Sequence, residues 1–198
     1  MKNKVLLGLA VIAMVAVLTS CGKKPQAEID AATAAIEAAK TAEAAVYVPA
    51  EFAAVQDSLN AVMADITAKE SKLFKNFKGE TAKLASVLTL ANTVAANAAT
   101  KKEEVKAEAA NLMTAIKTVI EENGKLIPKL PRGKEGAAVI EQIKADAATV
   151  DTSVVEAQGL FDKGSFMDAL NKIKAAKEKA EGLNTEVKEV LTKARIKF

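Results

Sequence analysis

Histidine and tryptophan are absent from this chain, and cysteine and tyrosine each occur once. Without histidine there are no His-based zinc sites, no Ser-His or Cys-His nucleophile pairs and no imidazole acid-base chemistry. A single cysteine, Cys21, excludes an intrachain disulfide, so stability must come from packing alone. Aromatic residues make up only 4% of the chain, which serves base stacking poorly. Gly-rich phosphate loops are missing as well. Ser58, Ser71, Ser86, Ser153 and Ser165 could act as nucleophiles only with a lysine base, and none of them begins a Ser-x-x-Lys motif. Glu103-Glu104 and Glu121-Glu122 are adjacent acids, but helix neighbours point about 100° apart and no calcium loop surrounds them. These pairs read as solvated helix faces. No catalytic residue, metal ligand or cofactor motif is assigned.

What the chain does have begins at its N-terminus. Lys2 and Lys4 precede an apolar stretch from Val5 to Leu18, and the small residues Thr19 and Ser20 precede Cys21. From Val5 to Ser20 a helix would span about 24 Å at about 1.5 Å per residue, short of a hydrocarbon core of about 30 Å. That argues against an ordinary transmembrane helix; an ordinary cleaved signal with an incidental cysteine is the other alternative. Leu18-Thr19-Ser20-Cys21 resembles the lipobox of secreted bacterial lipoproteins. The resemblance implies that residues 1–20 are a signal peptide cleaved before Cys21, with a diacylglyceryl group on the Cys21 sulfur and an acyl chain on the new amino group. Residues 21–25 would then be a lipidated tether. Two or more acyl chains anchor stably where one does not, each buried methylene contributing about 0.8 kcal/mol. Gly22 stands where the inner-membrane retention signal of such lipoproteins has Asp. By resemblance to that sorting rule, the expected address is the outer membrane facing the periplasm, where the source has one.

Lys2 and Lys4 account for two of the 28 basic residues. The chain from Cys21 onward therefore carries 26 basic residues against 25 acids, and this near-neutral balance gives no nucleic-acid signature. Its strongest signal is an apolar seam with residues alternately three and four apart, the period of helices packing lengthwise. The seam predicts helices over about 26–47 (Ile29, Ala32, Ile36, Ala39, Ala42, Val46) and 49–76 (Phe52, Val55, Leu59, Val62, Ile66, Leu73). Pro49 suits a first helical position. A third helix is expected over about 80–123, through Leu84, Val87, Ala91, Val94 and Ala98, then Val105, Ala109, Leu112, Ile116 and Val119. Lys101-Lys102-Glu103-Glu104 interrupts that seam, so this helix either changes partners there or bends. Asn123-Gly124 is its expected end.

The fourth helix, about 134–162, carries Ile140, Ile143, Ala147, Val150, Val154, Ala157 and Phe161, and Gly164 stops it. A fifth, about 165–195, has Ser165 as cap with Asp168 as capping-box partner. Its seam runs through Phe166, Ala169, Ile173, Ala176, Ala180, Leu183, Val187, Val190 and Ala194, and Gly182 weakens it by about 1 kcal/mol relative to alanine. No run alternates with strand period for long enough to argue a sheet. The expected fold class is all-α: an elongated bundle of about five long antiparallel helices over 26–198, with two helical hairpins joined by one long helix.

Lys163-Gly164-Ser165-Phe166-Met167-Asp168-Ala169-Leu170, followed by Ala175, Ala176 and Ala180, resembles the turn of tetratricopeptide-like helical hairpins, without the 34-residue period of an array. An alanine-rich helix leading into Tyr47-Val48-Pro49-Ala50-Glu51-Phe52 resembles a group of uncharacterised alanine-rich helical envelope lipoproteins. Together the two likenesses cover about residues 27–110 and 150–182. They imply a scaffold or binding surface and supply no catalytic residues.

Two further features bear on partners. Residues 26–65 hold seven acids and Lys40 alone among bases, while residues 66–198 are net basic; the first hairpin is expected to pack against basic faces of the other helices, with a partner-binding acidic patch as the alternative. The link 124–133 alternates apolar and basic residues without an acid. Its leucines and isoleucine are expected to cap the bundle end; the alternative is a loop touching anionic lipid headgroups or a protein partner, with Lys125, Leu126, Ile127, Lys129, Leu130 and Arg132 as the candidate interaction residues. The expected function is a non-enzymatic helical scaffold or protein-interaction module, held to the membrane through Cys21 and binding another envelope protein or a second copy. A binding module for a lipid or hydrophobic small molecule between the hairpins is the alternative.

Overall fold

The computed structural model describes residues 22–131 and 137–198. Among these residues the chain forms six α-helices and one 3-10 turn, with no strand: α1 Gln26–Thr41, α2 Ala44–Tyr47, α3 Pro49–Glu70, α4 Lys78–Leu126, the turn Ile127–Lys129, α5 Ala137–Asp162 and α6 Phe166–Lys193. The fold class is all-α. The expected signal peptide and the beginning of the fourth helix at 134 lie outside the described residues.

The helices form two compact units, and α4 contributes to both. Its residues before Asn97 pack with α1 and α3, and those from Asn97 onward pack with α5 and α6. Lys101-Lys102-Glu103-Glu104 does not end the helix. The helix is continuous and changes partners close to that point, as one of the two expected alternatives required.

In the first unit the seams meet as their spacing dictates. Ile29, Ala32, Ile36 and Ala39 of α1, Phe52, Val55, Val62 and Ile66 of α3, and Leu84, Val87, Ala91 and Val94 of α4 are all buried. Ala32, Ala39 and Ala91 are fully enclosed; a methyl side chain lets helix backbones approach closely and leaves a thin core. Lys24 at the start of α1 pairs with Glu70 at the end of α3 (3.3 Å), and Lys83 of α4 pairs with Asp65 of α3 (2.6 Å). Both pairs join antiparallel neighbours.

Two expected helices are corrected. The first helix does not run unbroken to 47: it ends at Thr41, and Glu43 takes φ +60°. The Glu43 N–H bonds to the Lys40 carbonyl (2.9 Å) and the Ala42 N–H to that of Ala38 (2.9 Å), which satisfies the last turn in the manner of a left-handed cap. Val46 is consequently 51% exposed and off the seam. The second helix stops at Glu70 instead of 76. There the Ser71 hydroxyl donates to the Ala68 carbonyl (3.0 Å), a local bond that competes with the helical ladder.

In the second unit α5 and α6 form the expected hairpin around Gly164. The Ser165 N–H bonds to the Leu160 carbonyl (3.0 Å) and the Gly164 N–H to that of Phe161 (2.9 Å), with Gly164 at φ +82°. This pattern is a Schellman ending, and the left-handed conformation is one glycine adopts freely. The expected capping box is absent, because the Ser165 side chain makes no cap hydrogen bond. Glu156 pairs with Lys172 across the hairpin. Glu108 and Glu122 of α4 reach Lys174 (2.6 Å) and Lys188 (2.8 Å) of α6. Since both members of these two pairs advance together along the sequence, α6 runs parallel to α4, as alternate helices of an up-down-up bundle do.

The interruption in the α4 seam has its own cover. Ala98 and Val105 are buried seven residues apart. Between them the Lys102 ammonium sits 5.9 Å from the ring centres of Tyr47 and Phe166, and Lys106 lies 5.4 Å from Phe166. Phe161 meets Phe166 edge to face at 5.0 Å. Lysine stems can shield apolar surface while their heads stay wet, so the charged stretch still contributes to packing.

Asn123-Gly124 does not end α4, which continues to Leu126. Pro128, lacking an N–H, cannot extend the helical ladder and sits in the 3-10 turn. Asn123 is buried: its side-chain amide donates to the Ala180 carbonyl (2.9 Å), and its oxygen accepts from the Asn184 amide (2.8 Å). Removing one partner should leave the other buried and unsatisfied. Asn123→Ala is therefore expected to lose about 1–3 kcal/mol in urea unfolding, whereas Asn123→Leu combined with Asn184→Leu should recover most of that loss.

Candidate functional site

The link after α4 places its residues unequally. Leu126 and Leu130 are buried in one cluster with Ile143, Leu183, Val187 and Leu191, and Ile127 packs against its edge. Lys125 and Lys129 are exposed. Arg132 lies outside the described residues, as does Cys21. Leu126 and Leu130 thus cap the end of the second unit, and a partner could reach their side chains only by unpacking it.

The candidate chemical groups are committed to local partners. Ser58, Ser86 and Ser153 donate their hydroxyls to carbonyls four residues back. Glu104 pairs with Lys101 (3.0 Å), Glu103 with Lys106 (3.8 Å) and Glu122 with Lys188. Lys188 donates to Glu122 and, with the Asn184 amide, holds its carboxyl below the ordinary value, against the opposing effect of partial burial. Among the described residues no group of three or more acidic or cysteine side chains converges in a way that could hold a metal ion. The concavities along α4 (Ala85, Ser86, Thr89, Leu90, Thr93) and α6 (Thr185, Lys188, Glu189, Thr192) are open to solvent and each follows the surface of one helix. No helix among the described residues is long and apolar enough to cross a membrane.

The most constructed polar feature of the first unit is the turn between α3 and α4, residues 71–77. Glu80 lies in the first turn of α4 with its side chain only 5% exposed, and Lys69 of α3 reaches it at 2.7 Å. The same ammonium donates to the Asn76 carbonyl (3.2 Å). The Asn76 side-chain oxygen accepts from the Lys78 N–H (3.1 Å), satisfying one of the free donors at the start of α4, and Phe77 is buried beneath. One lysine thus ties together the end of α3, the turn and the start of α4.

The chain enters the first unit at this turn. Gly22 has φ +111°, and a side chain there would approach the Lys75 carbonyl oxygen to 3.9 Å. The Lys24 and Glu70 bridge fixes the following residues to the end of α3. Between these anchors Leu73 and Phe74 point away from the core, each 93% exposed. The seam expected through Leu73 does not reach it, because the helix that would have carried it has already ended. Ser71-Lys72-Leu73-Phe74-Lys75-Asn76-Phe77-Lys78 has the acid-free alternation of basic and apolar residues seen in the 124–133 link. The helical apolar period running on through Leu73 masks that signal.

The Lys69 hydrogen bond is the main cause of a lowered Glu80 carboxyl pKa, set against burial, which raises it; a backbone hydrogen bond and the charges of Lys69 and Lys83 add to the lowering. Asp65 is likewise lowered, by hydrogen bonding to Lys83 and by its charge, and the same contacts raise Lys83. A lowered carboxyl contributes stability that is complete above its unfolded value, 4.5 for Glu80, and is lost as pH falls through the folded value. Lys83 behaves oppositely, contributing below 10.5 and losing that contribution as pH rises through its folded value.

Two outcomes are expected. Leu130→Ala should cost about 2–5 kcal/mol of stability while Lys129→Ser changes it by less than about 0.5 kcal/mol, both read by urea unfolding; equal effects would remove the capping role. The difference in melting temperature between the native protein and Glu80→Gln should shrink between about pH 7 and about pH 3, and a constant difference would contradict the Lys69 and Glu80 account. Comparison with known proteins finds no match to this chain among family models, curated sequences or solved structures.

Proposed function

We propose that this protein is a lipid-anchored bacterial envelope protein that acts as a non-enzymatic helical scaffold. In this reading it is tethered through Cys21, on the periplasmic side of the outer membrane, and binds another envelope protein or a second copy along exposed helix faces. The observation that carries the proposal is the sequence from Lys2 to Cys21: a basic start, an apolar stretch too short to span comfortably, small residues, then the chain's only cysteine. The geometry that follows supports it. α1 begins at Gln26, five residues past Cys21, so the tether reaches at most about 18 Å at about 3.6 Å per residue. A lipid on Cys21 would hold the first unit against the bilayer surface and leave the helix faces to make contacts. The scaffold role is supported by the bonding of Ser58, Ser71, Ser86 and Ser153 to helix carbonyls and of Glu103, Glu104 and Glu122 to lysines, the ordinary roles of such residues on helices.

Growth of the producing cells with an alkyne-bearing fatty acid tests the anchor. The native protein should incorporate the label and lack residues 1–20, and Cys21→Ala should incorporate none and retain them. Label in Cys21→Ala at the native level would overturn the reading.

A further inference from the structure

Isolated apolar side chains on a protein surface are ordinary, but Leu73 and Phe74 are not isolated. They are consecutive, almost fully exposed, and presented by a turn that the Lys69, Glu80 and Asn76 bonds hold in shape. The next most exposed large apolar residue among those described, Val155, is 71% exposed and lies alone on α5. Around the pair stand Lys72, Lys75 and Lys78, all exposed, and Lys23 stands beside Gly22 at the chain entry. Residues 71–78 contain no acid. The two nearest acids are already neutralised, Glu70 by Lys24 and Glu80 by Lys69. An exposed apolar pair flanked by exposed lysines is complementary to a surface with anionic groups outside and hydrocarbon beneath.

The position of the tip identifies its occupant. A side chain built on Gly22 would come within 3.9 Å of the Lys75 carbonyl oxygen, which places Gly22 near the turn that carries Leu73 and Phe74. A lipid on Cys21 would join the chain one residue before it. We propose that Leu73 and Phe74 insert into the interface of an anionic lipid bilayer, with Lys23, Lys72, Lys75 and Lys78 against the headgroup phosphates. This second, non-covalent contact would fix which end of the first unit faces the membrane. It rests on the reading of Cys21 as the lipid-bearing residue.

The chain has no tryptophan, so one introduced indole reports without background. Phe74→Trp and, as control, Val155→Trp are prepared as the full processed protein and reconstituted into vesicles of phosphatidylglycerol and phosphatidylcholine in equal parts, with or without bromine on the acyl chains. The acyl mass on Cys21 is measured on the same samples. The expected result for Phe74→Trp is a blue-shifted emission that loses about half its intensity or more in brominated vesicles, as interfacial burial of an apolar side chain requires, with Val155→Trp unaffected. Replacing phosphatidylglycerol by phosphatidylcholine should reduce that loss. An acylated, vesicle-bound Phe74→Trp protein that is not quenched would overturn the insertion while leaving the anchor intact; absence of the acyl mass would instead fail the anchor. A blue shift that grows with protein concentration without bromine quenching would assign the tip to a contact between copies, and quenching independent of phosphatidylglycerol would remove the role of the lysines.

Discussion

One uninterrupted helix, α4, is the constraint on which both cores depend. Many of the apolar positions of this chain are alanines, and an alanine buries little area, so two such helices alone would gain little against the entropy of ordering them. Each unit reaches a closed core only with a third helix. Residues of α4 before Asn97 supply it to α1 and α3, and those after supply it to α5 and α6. Leu84, Val94 and Ile116 on this one helix are among the most completely buried large side chains in the molecule. Loss of helicity between them would remove one wall from each core.

Polar contacts set the details that apolar packing leaves free. Alanine faces are nearly alike at every turn and specify register weakly. The bonds from Asn123 to Ala180 and Asn184, and the pairs from Glu108 and Glu122 to Lys174 and Lys188, distinguish one alignment of α4 and α6 from its neighbours. At the other end of α4, Glu80 and Lys69 do the same for α3. That contact also shapes the turn that exposes Leu73 and Phe74 beside the chain entry. In the proposed reading, a register device of the first unit and its membrane-facing end are thus built from the same few residues.

The seams were legible because a spacing of three and four declares a helix face whatever its partner. Nearly every residue named on the α4 seam, from Leu84 to Ile116, is buried, and Pro49 and Gly164 mark the boundaries their chemistry implies. The breaks were harder to read. Thr41-Ala42-Glu43 contains good helix formers, and Glu43 takes a positive φ without the glycine that usually signals one. Asn123-Gly124 has the composition of a helix end, yet burial of Asn123 against α6 outweighs it. Ser71 and Asn76 did carry a signal for the end of α3 and the start of α4, but the apolar period running on through Leu73 masked it. Of the candidate site, the link 124–133 was legible as apolar and basic alternation; which leucines it buries depends on α5 and α6, about which local sequence is silent.

Exchange of backbone amide hydrogens along α4 tests the shared-helix account most directly. If α4 is unbroken where it changes partners, amides from Asn97 to Lys106 should be protected comparably to those of the flanking segments Leu84–Val94 and Ala109–Ile116, because opening there would cost packing in the cores as well as the local ladder. Exchange across Asn97–Lys106 at the rate of an unstructured linker, with both flanks protected, would contradict it.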